Sequence, residues 1–486
     1  MGSIWIKEFR GGLDTRRLPE TLPGGALIRA QDCHITQGGE LEQRAVFAPI
    51  WTDTAGISVG LAADEDSLVV FGNGATPPAD LPPNVSYQQL VHPDDSNVAL
   101  LGVPSWQLFG GEIAAIGLFE ENANERRFMY LNGVHVSDTN APPQAAGSVE
   151  PTSLGVHFSK IFVGAGTVMF FSDNEDGDDF TNAGAGFVDM AFRVGGGAKV
   201  RAFSDYERIL AVFSDRAITT WKMDADPDNT AIVQTLRGFG TFAARTAIQF
   251  RGADVLFYDL SGIRSLRARD SSGTAQTADV GSPIDKLTSK AIEDLSVEQR
   301  EFAAAIVEPR TGRIWFAIGD TIFVLSQYEA TKVTAWSTYK PGFQIEGIAV
   351  LGDRVYLRSG DTIYVYGSET GPYQYGSDVQ AEAWLPYLDA NAPTKSKTLM
   401  GIDAAVRGAW EVRVGYDPRN LDATDLVARI TSTTYPDPRV PLAQGRGTHI
   451  GLRFRSIAPP STTEPAVVSA AVIVHDLDDP EDAAGS

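Results

Sequence analysis

Five carboxylates crowd into nine residues at Ser172–Phe180, S-D-N-E-D-G-D-D-F: Asp173, Glu175, Asp176, Asp178 and Asp179. That density could attract a hard cation. A calcium loop, however, spaces its acidic ligands at alternating positions, with glycine sixth and a bidentate glutamate twelfth. Setting Gly177 sixth puts Ser172 first and Ala183 twelfth, so both end ligands fail and a solvated loop tip is expected. Histidine stands at positions 34, 92, 135, 157, 449 and 475. None of these pairs at the i, i+4 spacing of a helical metal site, and each reads as a surface or strand-end residue. Nucleophile elbows, P-loops and H-E-x-x-H are absent, and the runs V-G-A-G-T and V-G-G-G-A-K lack the spacing of a dinucleotide fingerprint. The sequence therefore offers no catalytic residue, no metal ligand set and no cofactor site.

Composition narrows the function further. The chain has 486 residues, 43% hydrophobic and 21% charged, with a mean hydropathy of −0.10. Apolar runs of the ~18 residues that a membrane helix requires are missing, and so is a secretory signal at the start. The reading is a chain that folds where it is made. Cys33 is the single cysteine, which excludes an internal disulfide and reads as a small buried hydrophobe. A net charge of −22 opposes sequence-specific DNA binding, which rests on clustered Lys and Arg.

Strand patterns run along almost the whole chain. R-I-W-F-A-I-G-D-T-I-F-V-L-S-Q (313–327) and R-V-Y-L-R-S-G-D-T-I-Y-V-Y-G-S (354–368) align without a gap. Looser relatives begin at Arg127, Lys160, Arg208 and Asp254. Each is a strand, a tight Gly/Asn/Asp turn and a second strand, and repetition at about 40–50 residues is a mark of propeller blades. Five to seven blades are expected between residues 57 and 372. One helix is expected at 282–305, with Ser282 as cap and Pro283 in its first turn. From 373 to 477 five strands alternate apolar and polar residues, as a β-sandwich should. The acidic end, 478–486, reads as a disordered tail. The fold class is thus all-β: a multi-blade propeller, a C-terminal β-sandwich, and an extended N-terminal arm with the first strands at 1–56.

The arm carries the strongest signal, K-E-F-R-G-G-L-D-T-R-R-L-P-E-T-L-P-G-G-A-L-I-R-A-Q-D-C-H-I-T-Q-G-G-E-L-E-Q-R. It resembles the N-terminus of the tail nozzle proteins of short-tailed bacteriophages, also called tail tubular or packaged-DNA stabilisation proteins. The matching positions are Phe9, Gly11, Gly12, Leu13, Leu22, Pro23, Gly24, Gly25, Gly39, Leu41 and Arg44. Asp32 stands where asparagine is usual, and Ala45-Val46 replace a common Pro-Gly. The resemblance implies a structural virion protein, not an enzyme, that is assembled in the bacterial host cytoplasm and located in the tail. Implied partners are further copies in a ring, six in this family, a head-to-tail connector or adaptor, and tail fibre or spike proteins. Double-stranded DNA would pass through the lumen without sequence-specific contacts.

Three expectations follow for particular residues. Arg10, Arg16, Arg17 and Arg29 would sit at subunit or docking interfaces. The acidic loops, with Asp64, Glu65 and Asp66 beside the cluster at 173–179, would face the lumen or its rim, where repulsion keeps DNA mobile. A competing reading comes from S-D-R-A-I-T-T-W (214–221), similar to the Asp-box turn of sialidase-type propellers, S-x-D-x-G-x-T-W. Arg216 and Ile218 occupy the places of its Asp and Gly, which weakens a propeller glycosidase or other polysaccharide-degrading enzyme. A receptor-binding tail protein is the other alternative.

Overall fold

The computed structural model describes residues 2–120, 125–132, 135–136, 150–194, 197–252, 254–268, 275–435 and 445–477. Blade one comprises Ser58–Ala63, Leu68–Gly72 and Val85–Gln89. Blades two to six are four-stranded and begin with Leu100–Phe109, Pro151–His157, Val200–Tyr206, Ile248–Phe250 and Ala304–Val307. Blade seven takes three strands from Gly347–Leu351, Arg354–Ser359 and Thr362–Tyr366, and its outer strand, Phe47–Thr52, from the other end of the chain. The seven innermost strands contact one another in succession, and the seventh meets the first. Closing the ring with an early strand ties the two ends of the propeller together and removes the free edges of an open sheet. It also starts the propeller at residue 47, ahead of the boundary expected at 57.

Second strands such as Leu68–Gly72 and Ile314–Ile318 are buried at every position, because a blade is covered on both faces by its neighbours. The aligned G-D-T-I hairpins are the second and third strands of blades six and seven, and those starting at 160, 208 and 254 are their equivalents in blades three, four and five. The segment starting at Arg127 instead joins the third and fourth strands of blade two. Its likeness reflected a shared hairpin pattern, not a shared place in the blade.

The sandwich packs two sheets. One contains Lys397–Arg407 and Val467–Leu477; the other contains Glu382–Trp384, Ala409–Gly415, Thr424–Ile430 and Gly451–Ala458. Both are completed by the first 46 residues. Gly2–Ile6 pairs with Val467–Leu477, and Leu41–Gln43 joins the same sheet with Cys33–Ile35 behind it. Arg29–Gln31 bridges the outer strand of blade six to Glu382–Trp384, which makes one sheet of nine strands across propeller and sandwich. The arm is extended, but it lies along its own chain.

The helix expected at 282–305 is broken. A 3-10 turn at Ser282–Ile284 leads into Asp285–Glu293 with no cap from the Ser282 side chain, a second helix, Val297–Glu301, starts at Ser296, and residues 304 and 305 already belong to the first strand of blade six. Ser296 accepts from the Gln299 amide and Gln299 accepts from the Ser296 amide, a capping box that restarts the helix. The acidic tail at 478–486 lies outside the described residues.

Candidate functional site

The residues matched in the N-terminal segment converge on the joint between propeller and sandwich. Phe9 is fully buried, and its amide donates to the Gly39 carbonyl at 2.7 Å. Gly12 has φ +56°, and a Cβ there would stand 2.7 Å from the Trp336 nitrogen in the outer strand of blade six. Gly12–Leu13 then runs parallel to Ala26–Leu27. Between them, Pro23, Gly24, Gly25 and Ala26 form a turn in which the Ala26 amide donates to the Pro23 carbonyl and Gly25 takes φ +90°. That is the position where a type II turn needs glycine. Leu13, Leu22 and Leu41 are buried, while Pro23 and Gly24 are exposed.

Arg44 is buried and ion-paired to Asp32 at 2.7 Å, and it also donates to the carbonyls of Ala45 and Lys340. Asp32 itself has φ +54°, a backbone region that asparagine and aspartate tolerate better than other side chains. Aspartate therefore suits this backbone and supplies a charge for Arg44. Cys33, as expected, is fully buried.

The arginines expected at subunit interfaces are mostly engaged within the chain. Arg16 grips Asp14 through Nε and Nη2 at 3.1 and 2.7 Å and donates from Nη1 to Ser282. Arg10 pairs with Glu8 at 3.0 Å, and Arg29 pairs with Glu382 at 3.2 Å beside the Trp384 ring. Only Arg17 among these four forms no hydrogen bond or ion pair among the described residues. Arg10, Arg16 and Arg29 thus have partners within the chain, and Arg16 and Arg29 tie the segment to Ser282 and Glu382.

The histidine expectation is corrected for His34, His92 and His475, which are buried, whereas His157, also buried, does end the strand Pro151–His157. His34 Nε2 lies 3.0 Å from Glu42 and its Nδ1 3.0 Å from the Tyr339 hydroxyl. Burial, and then the Arg313 charge, hold its pKa below the ordinary histidine value. Among the described residues no group of His, Cys, Asp and Glu could hold a metal ion.

Both acidic loops lie at the same end of the propeller axis. All inner strands run in one direction around the ring, so the turn after the first strand (64–67 in blade one) and the link from third to fourth strand (172–185 in blade three) emerge together. The link 223–230 of blade four joins them, and none of the three carries a lysine or arginine. Their carboxylates differ in what they do. Asp64 accepts from the amides of Asp66 and Ser67 and from the Ser67 hydroxyl. Asp179 is buried and accepts from the Thr181 amide and hydroxyl and the Asn182 amide. Asp173 accepts from the Asn174 amide. These three hold turns, while Glu65, Asp66, Glu175 and Asp176 are exposed and Asp178 is half-buried.

The opposite end of the axis is covered. Phe302, entering blade six, packs on Gly102 of blade two, where a Cβ would meet its ring at 2.7 Å. Arg245, entering blade five, donates to the Ile348 carbonyl of blade seven at 2.8 Å and lies 4.7 Å over the Trp106 ring of blade two. Blades that are not neighbours can be joined this way only across the axis. The propeller's own channel is therefore crossed by side chains. No spacing in the sequence announces this cluster, because its members come one by one from separate blades.

No protein-family model and no curated protein matches the chain. Among solved structures it is similar to the Pan2 WD40 domain of Neurospora crassa, at 10% identity over 70% of this chain and 99% of that one, with a TM-score of 0.41. It is also similar to BamB of Moraxella catarrhalis, at 10% identity over 76% of this chain and 98% of that one, with a TM-score of 0.37. These values speak only to a general propeller likeness; the closed ring of seven sheets defines this chain as a β-propeller protein.

Proposed function

We propose that this chain is a structural virion protein, the tail nozzle subunit of a short-tailed phage, which extends the tail and retains and conducts the genome. The observation that carries the reading is the joint. Of the residues on which the family resemblance rests, Gly12 packs on the outer strand of blade six, Arg44 links Asp32 to the Lys340 carbonyl, Phe9 and Leu13 lie in the core shared by propeller and sandwich, and Gly11 and Gly39 shape the segment itself. Motif and two-part architecture are one construction, as expected if the segment is retained for what it builds.

Two features shape how the function would work. Side chains crossing the propeller axis leave the DNA path to a lumen enclosed by several copies, a hexameric ring in this reading. Exposed carboxylates at the acidic end would line that lumen or its rim, where like charge disfavours adhesion of phosphates. The other neighbours would be a ring-shaped adaptor and fibre or spike proteins, in the tail of the particle. The proposed role calls for no catalytic residue.

The test is assembly. Purified chain mixed with the adaptor ring of the same particle should form a closed ring of six, measured by light scattering and imaged by electron microscopy. Dimers, or no association, defeat the proposal. Turnover of a capsular polysaccharide would replace it with the enzyme reading, and glycan binding without turnover with the receptor reading.

A further inference from the structure

Beside the residues that cross the axis lies a cavity of about 380 Å³, bounded by Arg126, Glu150, Lys199, Arg201 and Glu301. Its volume falls in the range of small-molecule sites. Charge is unevenly settled within it. Arg126 takes both carboxylates, Glu150 at 3.0 Å and Glu301 at 2.6 Å. That leaves Arg201, on the innermost strand of blade four, with a buried Nε and no hydrogen-bond partner. The exposed Lys199 ammonium, two residues before it, also makes no ion pair among the described residues. A second recess shares Arg201 and Glu301 and is walled by Ala243 and Ala244. The next residue, Arg245, is the guanidinium that spans the axis, again without a carboxylate among the described residues. Burial alone lowers its pKa to about 10.

Arg201 and Arg245 are half-buried, and an enclosed guanidinium donor without a partner, as at Arg201 Nε, is costly to keep. We propose that this axial cavity binds a small phosphate, inorganic or as a monoester, held by Arg201 and Lys199. A guanidinium offers a planar pair of donors to two oxygens, while an ammonium supplies a point charge that a third oxygen can meet from another direction. The enclosed side of the cavity strengthens the Arg201 contact, while Lys199 reaches the anion from the solvent side. Arg126 takes no part in recognition; by holding Glu150 and Glu301 it masks their repulsion. The inference does not depend on the nozzle reading, since a ring can assemble with the cavity empty.

Titration of the full-length chain with inorganic phosphate and with methyl phosphate, at constant ionic strength and followed by calorimetry and ³¹P line width, tests the proposal. Both probes should bind at submillimolar concentration and compete with each other. Arg201→Gln should weaken them by about tenfold or more, the equivalent of one charge-assisted hydrogen bond. Lys199→Gln, at an exposed position that leaves the fold intact, should weaken them several-fold. No binding at ~10 mM, equal affinity in both variants, or acetate binding as tightly as phosphate would each overturn it. So would binding of an oligonucleotide that methyl phosphate does not displace.

Discussion

The N-terminal segment and the acidic loops look equally like surface in the sequence, one rich in Gly, Pro and Arg, the other in Asp and Glu. They end in opposite environments. Residues 2–46 supply strands to both sheets of the sandwich and bury Phe9, Leu13, Leu27 and Arg44, whereas Glu65, Asp66, Glu175 and Asp176 remain in solvent. The difference lies in what each segment can exchange for water. Gly12 and Gly25 allow backbone to approach backbone, and Arg44 finds Asp32 and two carbonyls to replace its hydration. An isolated cluster of carboxylates has nothing comparable to offer, and burying it would be prohibitive.

The sharpest way to break this comparison is at Gly12. In Gly12→Ala the new Cβ meets the backbone of Ala335 and Trp336 at 2.7–2.8 Å, in a left-handed conformation. Strain and overpacking together should cost about 3 kcal/mol or more, read as a lower denaturation midpoint. Stability within 1 kcal/mol of wild type would mean that the segment does not pack as described. Arg44→Met should cost about 3–5 kcal/mol by leaving Asp32 buried and unpaired. Adding Asp32→Asn should recover part of that loss; an additive double variant would show that the pair is not coupled.

A smaller effect follows from pH. His34 titrates below its ordinary value because of burial and then Arg313, and His475 because of burial and then Lys397. The unfolded chain therefore takes up these protons at higher pH than the folded one. Their contribution to stability is complete above about pH 6.5, is lost as pH falls below it, and levels off beneath the folded pKa values. The double variant His34→Gln/His475→Gln should show a flatter decline in denaturation midpoint between pH 7.5 and 5.5 than wild type. Parallel curves would refute this.

At the loops the effects are the smallest, and they separate the two kinds of carboxylate. Asp64→Ala removes the acceptor for two amides and should cost about 1 kcal/mol. The combined Glu65→Gln/Asp66→Asn change should stay within about 0.5 kcal/mol in the same melting experiment. Equal losses in the two variants would show that the distinction between turn-holding and free carboxylates is wrong.

Much of this architecture was legible in the chain itself. Paired Gly-Asp-Thr-Ile hairpins identified the blades, since a tight turn between two apolar runs is a local property. Alternation after residue 373 identified the sandwich strands. The helix at 282–305 was legible in type but not in extent, because the restart at Ser296 depends on a reciprocal cap with Gln299 that a continuous apolar period hides.

What the sequence alone determined, then, was the set of strands and turns, the surplus of acid, and the lack of any local catalytic or metal motif. Only the tertiary structure decided that Phe47–Thr52 closes blade seven, that the first 46 residues join propeller to sandwich, and that Arg245 and Phe302 cross the axis beside Arg201. Turns and strands follow from forces between residues a few positions apart. Closure and the axial cluster follow from burial shared between residues separated by hundreds of positions, such as Ile363 and Trp51, and no spacing along the chain records that.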